Sequence, residues 1–308
     1  MPSGLRRVGE HRIVKADVDA IGHMSVRRYA ELAETTATRL FDGLGDRSAG
    51  SATVPKITDI VTRQHGEQFL GAYLLIDAAV VTAGVAGITL HIELRNGQEE
   101  LASTHLVRIE LFDTAKRFPV TIPKGIVSEA MEMFAEQPPY GRPRRLNDRP
   151  WRGLALVDLA GREVEVWSER VVAPDECDAL DWFAGGPTQL AWGPPDIERP
   201  VTQWRFETPD GGVYALANVE HRRLVASLPR LGAPLRTVAV NVAIERNRRV
   251  RREWTFDLDT GALHAVGEFV DLLVDLRSRR AADVPDTVRR VLGRHLYPEL
   301  GDAPNDLY

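Results

Sequence analysis

The stretch KADVDAIGHMSVRRYAELAE, residues 15–34, passes from a strand-like run into a helix within a few positions. The run HRIVKADV, residues 11–18, is predicted to be a short strand. After Ser25 the apolar residues recur every three or four positions, which predicts a helix that reaches about Leu44. Ser25 is a suitable N-cap, and Gly43 is a suitable terminator. The sequence therefore predicts a strand, an acidic turn and a long helix in succession.

Four extended runs follow this helix, so residues 10–127 contain one recognisable order of elements. The same order recurs from about residue 163, and Asp178 lies 159 residues after Asp19. A nearly constant offset along the two segments indicates an internal duplication. One strand, one helix and several antiparallel strands in each copy predict an α+β fold.

The duplication also pairs individual residues of the two copies. It sets His221 against His65 and Gly232 against Gly71. On this basis His65 is a candidate substrate-binding residue at the mouth of a cleft. The alternative, which we favour for both histidines, is a structural hydrogen bond across the pseudo-twofold axis that relates the two copies.

The segment DVDAIGHMSVRRY, residues 17–29, resembles the Asp-x-Asp-x-x-Gly-His-Val-Asn-x-x-x-Tyr signature of hotdog-fold acyl-CoA thioesterases of the 4-hydroxybenzoyl-CoA thioesterase type. Residues 10–127 as a whole follow the element order of that family. The resemblance implies a tandem (double) hotdog fold, in which an antiparallel sheet wraps around a central helix in each copy. It places an N-terminal hotdog domain at 1–135, a linker at 136–160 and a C-terminal hotdog-like domain at 161–308.

Both copies depart from the family pattern. In the first, residues 24–26 read Met-Ser-Val where the family has Val followed by Asn, although Ser25 still serves as a helix cap. In the second, Asp-Trp at 181–182 stands where Gly-His stands at 22–23. Glycines and prolines in residues 185–195 then predict a second helix that is shortened, broken or replaced.

The acidic turn supplies groups that thioester hydrolysis needs. A carboxylate can act as general base or nucleophile, and free N–H groups at a helix N-terminus can stabilise an oxyanion. The resemblance implies that Asp19 is the catalytic carboxylate, because the matching residue has this role in the family. His23 is expected to position water or substrate, and the amides near Ser25 and Val26 are expected to bind the oxyanion. Gly22 permits close approach of the backbone to the thioester.

Each of these residues also has a structural interpretation. The structural alternative for Asp17 or Asp19 is an acidic residue that flanks a helix start, where such residues are common, and for His23 it is a buried histidine with satisfied hydrogen bonds. Tyr29 is a candidate substrate contact, but its position also suits helix packing. Asp17 is expected to point to the opposite face, where it is either exposed to solvent or structural.

The second copy is expected to lack a working site of its own. Asp178 keeps the catalytic position, but Trp182 replaces the histidine and is large enough to fill one cleft or line the other. Both are candidate substrate-binding residues. Cys177 adjoins Asp178 without a neighbouring base that would make it a nucleophile. The run RNRRVRR, residues 246–252, is either a contact for the phosphates of coenzyme A or a solvated hairpin.

The composition narrows the classes of function. The 308 residues carry a net charge of −5, which gives no reason to expect a nucleic-acid partner. No apolar run reaches the roughly 18 residues of a membrane helix, and the single cysteine fits a reducing cytoplasm. No metal-ligand cluster or phosphate-binding loop is present in the sequence, so no metal or cofactor is expected apart from the coenzyme A of a substrate. A homo-oligomer is compatible with these features.

The sequence thus predicts a thioesterase acting on an acyl-CoA or an acyl-carrier-protein thioester. A hotdog-fold dehydratase, or a tailoring enzyme acting on a thioester or polyketide-like intermediate, is the first alternative, because relatives with other activities share the fold. A non-catalytic acyl-thioester-binding protein is the second.

Overall fold

Two compact units make up the chain. The first comprises Met1–Arg144 with Gly186–Thr188, and the second comprises Arg145–Gly185 with Gln189–Tyr308. The computed structural model describes five segments, which are residues 4–19, 22–44, 52–146, 154–193 and 205–301. None of the helices within those segments is both long enough and apolar enough to cross a membrane.

Five long antiparallel strands and one long helix form the first unit. In chain order its elements are β1 (Arg6–Arg12), α1 (Val26–Asp42), β2 (Thr53–Gln64), β3 (Tyr73–Gly84), β4 (Gly87–Asn96), β5 (Leu101–Asp113), β6 (Pro119–Val120) and α2 (Lys124–Met131). The long strands are hydrogen bonded in the order β1-β3-β4-β5-β2, and β6 pairs with β5. The predicted strand, long helix and four further strands are therefore confirmed.

Small residues allow α1 to pack closely against the sheet. Ala30, Ala33 and Ala37 are fully buried, and they share one apolar cluster with Ile60 of β2 and Val107 of β5. Each alanine contributes only a methyl group, so the helix backbone lies near the strands and the interior stays densely packed. This packing fixes the position of the helix start, where the candidate site lies.

The strand before the acidic turn lies earlier in the chain than the sequence predicts. β1 ends at Arg12, and Lys15–Asp17 forms a single 3₁₀ turn. The carboxylate of Asp17 accepts a hydrogen bond from the Val14 amide at 2.9 Å, which folds the chain back on itself. The prediction that the strand continues to Val18 is wrong for this reason.

The strands of the second part of the chain repeat the same arrangement. The remaining elements are β7 (Glu165–Val171), α3 (Pro187–Trp192), β8 (Arg205–Glu207), β9 (Val213–Val225), β10 (Pro234–Ile244), β11 (Arg248–Asp257), β12 (Leu263–Asp275), β13 (Arg280–Ala281) and α4 (Asp286–Gly293). The long strands are hydrogen bonded in the order β7-β10-β11-β12-β9, which repeats the order of the first unit. The helix that follows β7 has six residues, so the predicted shortening of the second helix is confirmed.

In the first unit one face of the sheet packs against α1. The corresponding face of the second unit has different side chains. In the first unit, Leu90 of β4 lies opposite Val107 of β5, and both are buried. The matching pair in the second unit is Arg251 of β11 and Phe269 of β12. The Arg251 guanidinium lies 3.9 Å from the centre of the Trp167 ring. A charged and aromatic face thus replaces an aliphatic one, although it is equally buried.

Ion pairs neutralise the arginines of this face. Arg249 Nε donates to Asp271 Oδ2 at 2.9 Å, and Arg251 donates to Glu253. Burial opposes the ionisation of Asp271, but the charges of Arg249 and Arg251 lower its pKa below the usual value. The interpretation of residues 246–252 as a solvated hairpin is therefore wrong for these two arginines, although Arg246 of the same run is exposed, and the phosphate contact stays a prediction. The charges of Arg249 and Arg251 are satisfied inside the unit.

The predicted pairing of His65 with His221 is wrong. The His65 amide donates to the Ala102 carbonyl at 2.9 Å, and the corresponding hydrogen bond in the second unit joins Ala226 to His264 at 2.8 Å. Ala226 is therefore the counterpart of His65, while His221 lies earlier, within β9. A histidine recurs in both copies, but at different positions of the two strands. The cross-strand register gives the true correspondence.

The predicted pairing of Gly71 with Gly232 is confirmed. Both glycines have left-handed backbones, with φ of +87° and +79°. Their amides donate to matching carbonyls, those of Ile13 at 2.9 Å and Val172 at 3.0 Å. Because only glycine adopts this conformation without strain, the turn has kept the residue in both copies.

A larger side chain on the buried face of α1 is expected to destabilise the first unit. Ala33→Leu should lower the free energy of unfolding by about 1 to 3 kcal/mol, because the sheet leaves no room for the added atoms. Thr35→Leu, at an exposed position of the same helix, should change it by less than about 0.5 kcal/mol. Urea denaturation followed by circular dichroism measures both, and equal effects would contradict the close packing.

Candidate active site

Hydrogen bonds between Asp19 and His23 close the acidic turn between β1 and α1. The Asp19 amide donates to the His23 carbonyl at 2.8 Å, and the His23 amide donates to Asp19 Oδ1 at 3.1 Å. Gly22 donates to the Asp19 carbonyl at 3.1 Å with φ of +83°, a conformation that glycine adopts without strain. The turn therefore orients the Asp19 carboxylate through the His23 backbone, while Asp19 remains exposed to water.

Helix α1 begins directly after this turn. Ser25 is its N-cap, and the Ser25 hydroxyl accepts a hydrogen bond from the Arg28 amide at 3.3 Å. The Ser25 amide donates to the Asp17 carbonyl at 2.9 Å, so it is already engaged. The Val26 amide, the first of the helix, makes no hydrogen bond within the described part of the chain. An anion beside it would also be favoured by the helix dipole.

The His23 ring packs against the loop that follows β2. Its Nδ1 lies 3.3 Å from Glu67 Oε1, and it meets the Phe69 ring edge-on, with centroids 4.8 Å apart. These two contacts orient the imidazole beside the turn. Sequence reasoning missed Glu67 and Phe69, because only the fold brings this loop to the turn.

Tyr29 lies in the apolar core beneath the site. It is 3% exposed and belongs to the same cluster as the alanines of α1. Burial raises the pKa of its hydroxyl well above the usual value, so the group stays protonated. The neighbouring Gln68 carbonyl accepts a hydrogen bond from the Met24 amide at 2.8 Å, which joins the β2 loop to the helix start. Packing thus accounts for Tyr29, and its contact with substrate stays a prediction.

His65 lies just after β2 and is half-buried. Its Nε2 lies 3.2 Å from Thr104 Oγ1. Burial, and next the positive charge of Arg63, lower the pKa of the imidazole to about 4. His65 is therefore neutral near neutral pH and has a structural contact within the first unit. Its contact with substrate stays a prediction.

Asp17 is buried behind the turn, with 1% of its surface exposed. Its carboxylate accepts hydrogen bonds from the Val14 amide at 2.9 Å and Arg28 Nε at 2.8 Å, and it lies 2.8 Å from His11 Nε2. Burial opposes its ionisation, but these partners lower its pKa below the usual value. The prediction that Asp17 is exposed to solvent is therefore wrong, and the structural alternative is confirmed. The reason is that the chain forms a turn here and not an alternating strand.

The sequence of this region matches a known family. Residues 13–132, which contain the acidic turn, α1 and β2 to β5, match the thioesterase-like superfamily. The sequence has no significant match among curated proteins.

Solved structures of three thioesterases share the fold. The 12:0-ACP thioesterase from Umbellularia californica aligns with a TM-score of 0.63 over 87% of this chain and 94% of its own, at 11% identity. A putative oleoyl thioesterase from Lactobacillus plantarum gives 0.62 over 86% and 94%, at 11% identity. An acyl-ACP thioesterase from Bacteroides thetaiotaomicron VPI-5482 gives 0.61 over 85% and 96%, at 9% identity. The fold is thus of the hotdog type that these thioesterases have.

The second unit contains a turn equivalent to that of the thioesterase-like segment. Asp178 Oδ1 accepts hydrogen bonds from the amides of Leu180 at 2.9 Å and Trp182 at 3.3 Å. The Asp178 amide donates to the Trp182 carbonyl at 2.8 Å. Asp181 occupies the position of Gly22 and also has a left-handed backbone, with φ of +60°. The Arg230 guanidinium lies over the Trp182 ring, 4.6 Å from its centre. The turn is conserved in shape while its side chains have changed.

The chain after the second turn does not begin a helix at the corresponding place. Ala184 occupies the position of the Ser25 cap, and its amide donates to the Glu176 carbonyl at 2.8 Å. Helix α3 starts only at Pro187, which has no N–H group to donate. Within the described residues, Asp178 is thus not followed directly by a helix N-terminus, unlike the thioesterase-like turn.

Cys177 lies beside the second turn and is half-buried. Burial and the adjacent carboxylates of Glu176 and Asp178 raise the pKa of its thiol. A raised pKa disfavours the reactive thiolate, in agreement with the expectation that Cys177 is not a nucleophile.

The environment of His65 predicts a histidine that does not titrate near neutral pH. Its imidazole resonances should stay constant between about pH 5.5 and 8, because burial and Arg63 disfavour the protonated ring. Nuclear magnetic resonance of the histidine side chains measures this, and His65→Gln assigns the signal by its loss. A midpoint near the ordinary value of about 6.5 would contradict the buried, neutral state.

Proposed function

We propose that the chain hydrolyses an acyl thioester of coenzyme A or of an acyl carrier protein, with Asp19 as the catalytic carboxylate. The turn carries this proposal, because an exposed carboxylate precedes a long helix whose first amide, at Val26, makes no hydrogen bond in the described chain. The match of residues 13–132 to the thioesterase-like superfamily supports the same chemistry.

In the proposed reaction Asp19 either takes a proton from water, which attacks the carbonyl carbon, or attacks that carbon itself. The carbonyl electron pair moves to its oxygen, where the Val26 amide and the positive end of α1 stabilise the charge. Collapse of this intermediate breaks the carbon–sulfur bond, and the thiolate leaves and takes up a proton. If Asp19 is the nucleophile, water then hydrolyses the acyl-aspartyl anhydride to release the acid. His23, held by Glu67 and Phe69, orients the water or the thioester.

We further propose that the chain is a tandem hotdog with one working site. The repeated strand order and the coverage of 85% to 87% of the chain by the structural neighbours support this arrangement. In the second unit Asp178 keeps the turn, but Trp182 stands in the place of His23. Helix α3 also begins too late to offer an amide beside Asp178. The second unit then serves as a scaffold.

The proposed chemistry limits the other reactants. Water is the only co-substrate, so the reaction itself requires neither a metal nor a redox cofactor. Two of the structural neighbours are named as acyl-ACP thioesterases, so carrier-protein thioesters deserve testing beside coenzyme A thioesters. A reducing cytoplasm suits the single cysteine, Cys177, which is unpaired.

Removal of the Asp19 charge is expected to abolish hydrolysis. Asp19→Asn should lower kcat at least about 100-fold, since the amide is neither a base nor a nucleophile. Asp178→Asn is the matched control and should retain most of the activity. Thiol release is measured over short, long, branched and aromatic acyl-CoAs and over acyl carrier proteins. Loss of activity in Asp178→Asn alone would assign the working site to the other copy.

Two further measurements on the same thioesters separate the proposed function from its alternatives. Thermal stabilisation of the wild-type chain by acyl thioesters, without thiol release from any of them, would favour a binding protein. Formation of an unsaturated acyl thioester from a 3-hydroxyacyl thioester, with the thioester bond intact, would favour a dehydratase.

A further inference from the structure

A buried carboxylate lies behind each of the two turns. Asp17 is 1% exposed in the first unit, and Glu176 is 4% exposed in the second. Asp17 Oδ2 accepts a hydrogen bond from the Val14 amide at 2.9 Å, and Glu176 Oε2 accepts one from the Ala173 amide at 3.1 Å. Each carboxylate thus closes the 3₁₀ turn that ends with its own residue.

Each carboxylate also binds the strand that precedes its turn. His11 Nε2 of β1 lies 2.8 Å from Asp17 Oδ2. Arg170 of β7 stands 159 residues later in the sequence, and its guanidinium donates to Glu176 Oε2 at 2.6 Å. The partners differ in type but occupy the same position in the two copies.

A third contact joins each carboxylate to the helix that follows. Arg28 Nε of α1 donates to Asp17 Oδ1 at 2.8 Å, and Gln189 Nε2 of α3 donates to Glu176 Oε1 at 3.3 Å. All three residue types have therefore changed between the copies, whereas the linkage of strand, turn and helix by one buried carboxylate has been kept. A linkage that survives such changes is a property of the fold and not of one pair of side chains.

In the first unit this linkage bears directly on the proposed chemistry. The Ser25 amide donates to the Asp17 carbonyl at 2.9 Å, which fixes the N-cap and the Val26 amide that follows it. Asp19 follows Asp17 in the same turn. The backbone of Asp17 therefore connects the carboxylate of Asp19 to the amide that would stabilise the oxyanion.

We propose that Asp17 is a positioning residue for the hydrolysis carried out by Asp19, an inference that rests on the proposed function. It sets the separation between the Asp19 carboxylate and the Val26 amide, and it does so without touching substrate, because it is almost completely buried. Glu176 holds the second turn in the same way but supports no reaction there.

Two matched variants separate positioning from simple stabilisation. Asp17→Asn and Glu176→Gln each remove a buried charge with little change in side-chain size, so both are expected to lower the melting temperature. Only Asp17→Asn should lower kcat, by about 10- to 100-fold with KM nearly unchanged, because small misplacements of reacting groups are costly. Wild-type kcat in folded Asp17→Asn would overturn the proposal.

A second pair of variants covers the case in which Asp17→Asn does not fold. Asp17→Glu moves the carboxylate by one methylene and should lower kcat. Adding His11→Arg reproduces the Arg170–Glu176 pair of the second unit and should restore most of the lost kcat. A double variant with no higher kcat than Asp17→Glu would count against positioning through this linkage.

Asp19→Asn, measured in parallel, separates this inference from the proposed function. If Asp19→Asn is inactive while folded Asp17→Asn is fully active, the positioning role is overturned and the function stands. If Asp19→Asn releases thiol at the wild-type rate, the function assigned to Asp19 is overturned, and the positioning role with it.

Discussion

The candidate site is held by the contacts that the buried Asp17 carboxylate makes with its neighbours. A buried charge is costly unless it is paired, and removal of one partner from such a group typically costs about 3 to 5 kcal/mol. Asp17 is paired with a strand, a turn and a helix at once. The two carboxylates of one short turn thus have opposite environments. Asp17 is enclosed and structural, whereas Asp19 is exposed to solvent.

The second unit shows which of these structural features can change while the others are kept. It keeps the strand order, the turn and the buried carboxylate, but its helix has six residues and its sheet face is charged. The arginines of that face are Arg249 and Arg251, and carboxylates of the same sheet together with an aromatic ring satisfy their charges inside the unit. The strand order and the turn are therefore kept in the second unit, although no helix N-terminus directly follows the turn there.

Patterns of local periodicity predicted much of the fold from sequence. The cap at Ser25, the length of α1 and the duplication all depend on spacing along the chain, and the structure has each of them. The burial of Asp17 was not predictable, since it depends on partners from a strand and a helix. Glu67 and Phe69 were missed for the same reason, because the loop that holds His23 is distant in sequence. His221 was misplaced because residue identity is a weaker guide than cross-strand register.

A crystal structure with a non-hydrolysable acyl thioester analogue tests the central claim most directly. The account predicts the analogue's carbonyl carbon within about 3.5 Å of an Asp19 carboxylate oxygen, or of a water that this carboxylate holds, and the carbonyl oxygen on the Val26 amide. An analogue whose carbonyl lies at Asp178, or away from both turns, would contradict it.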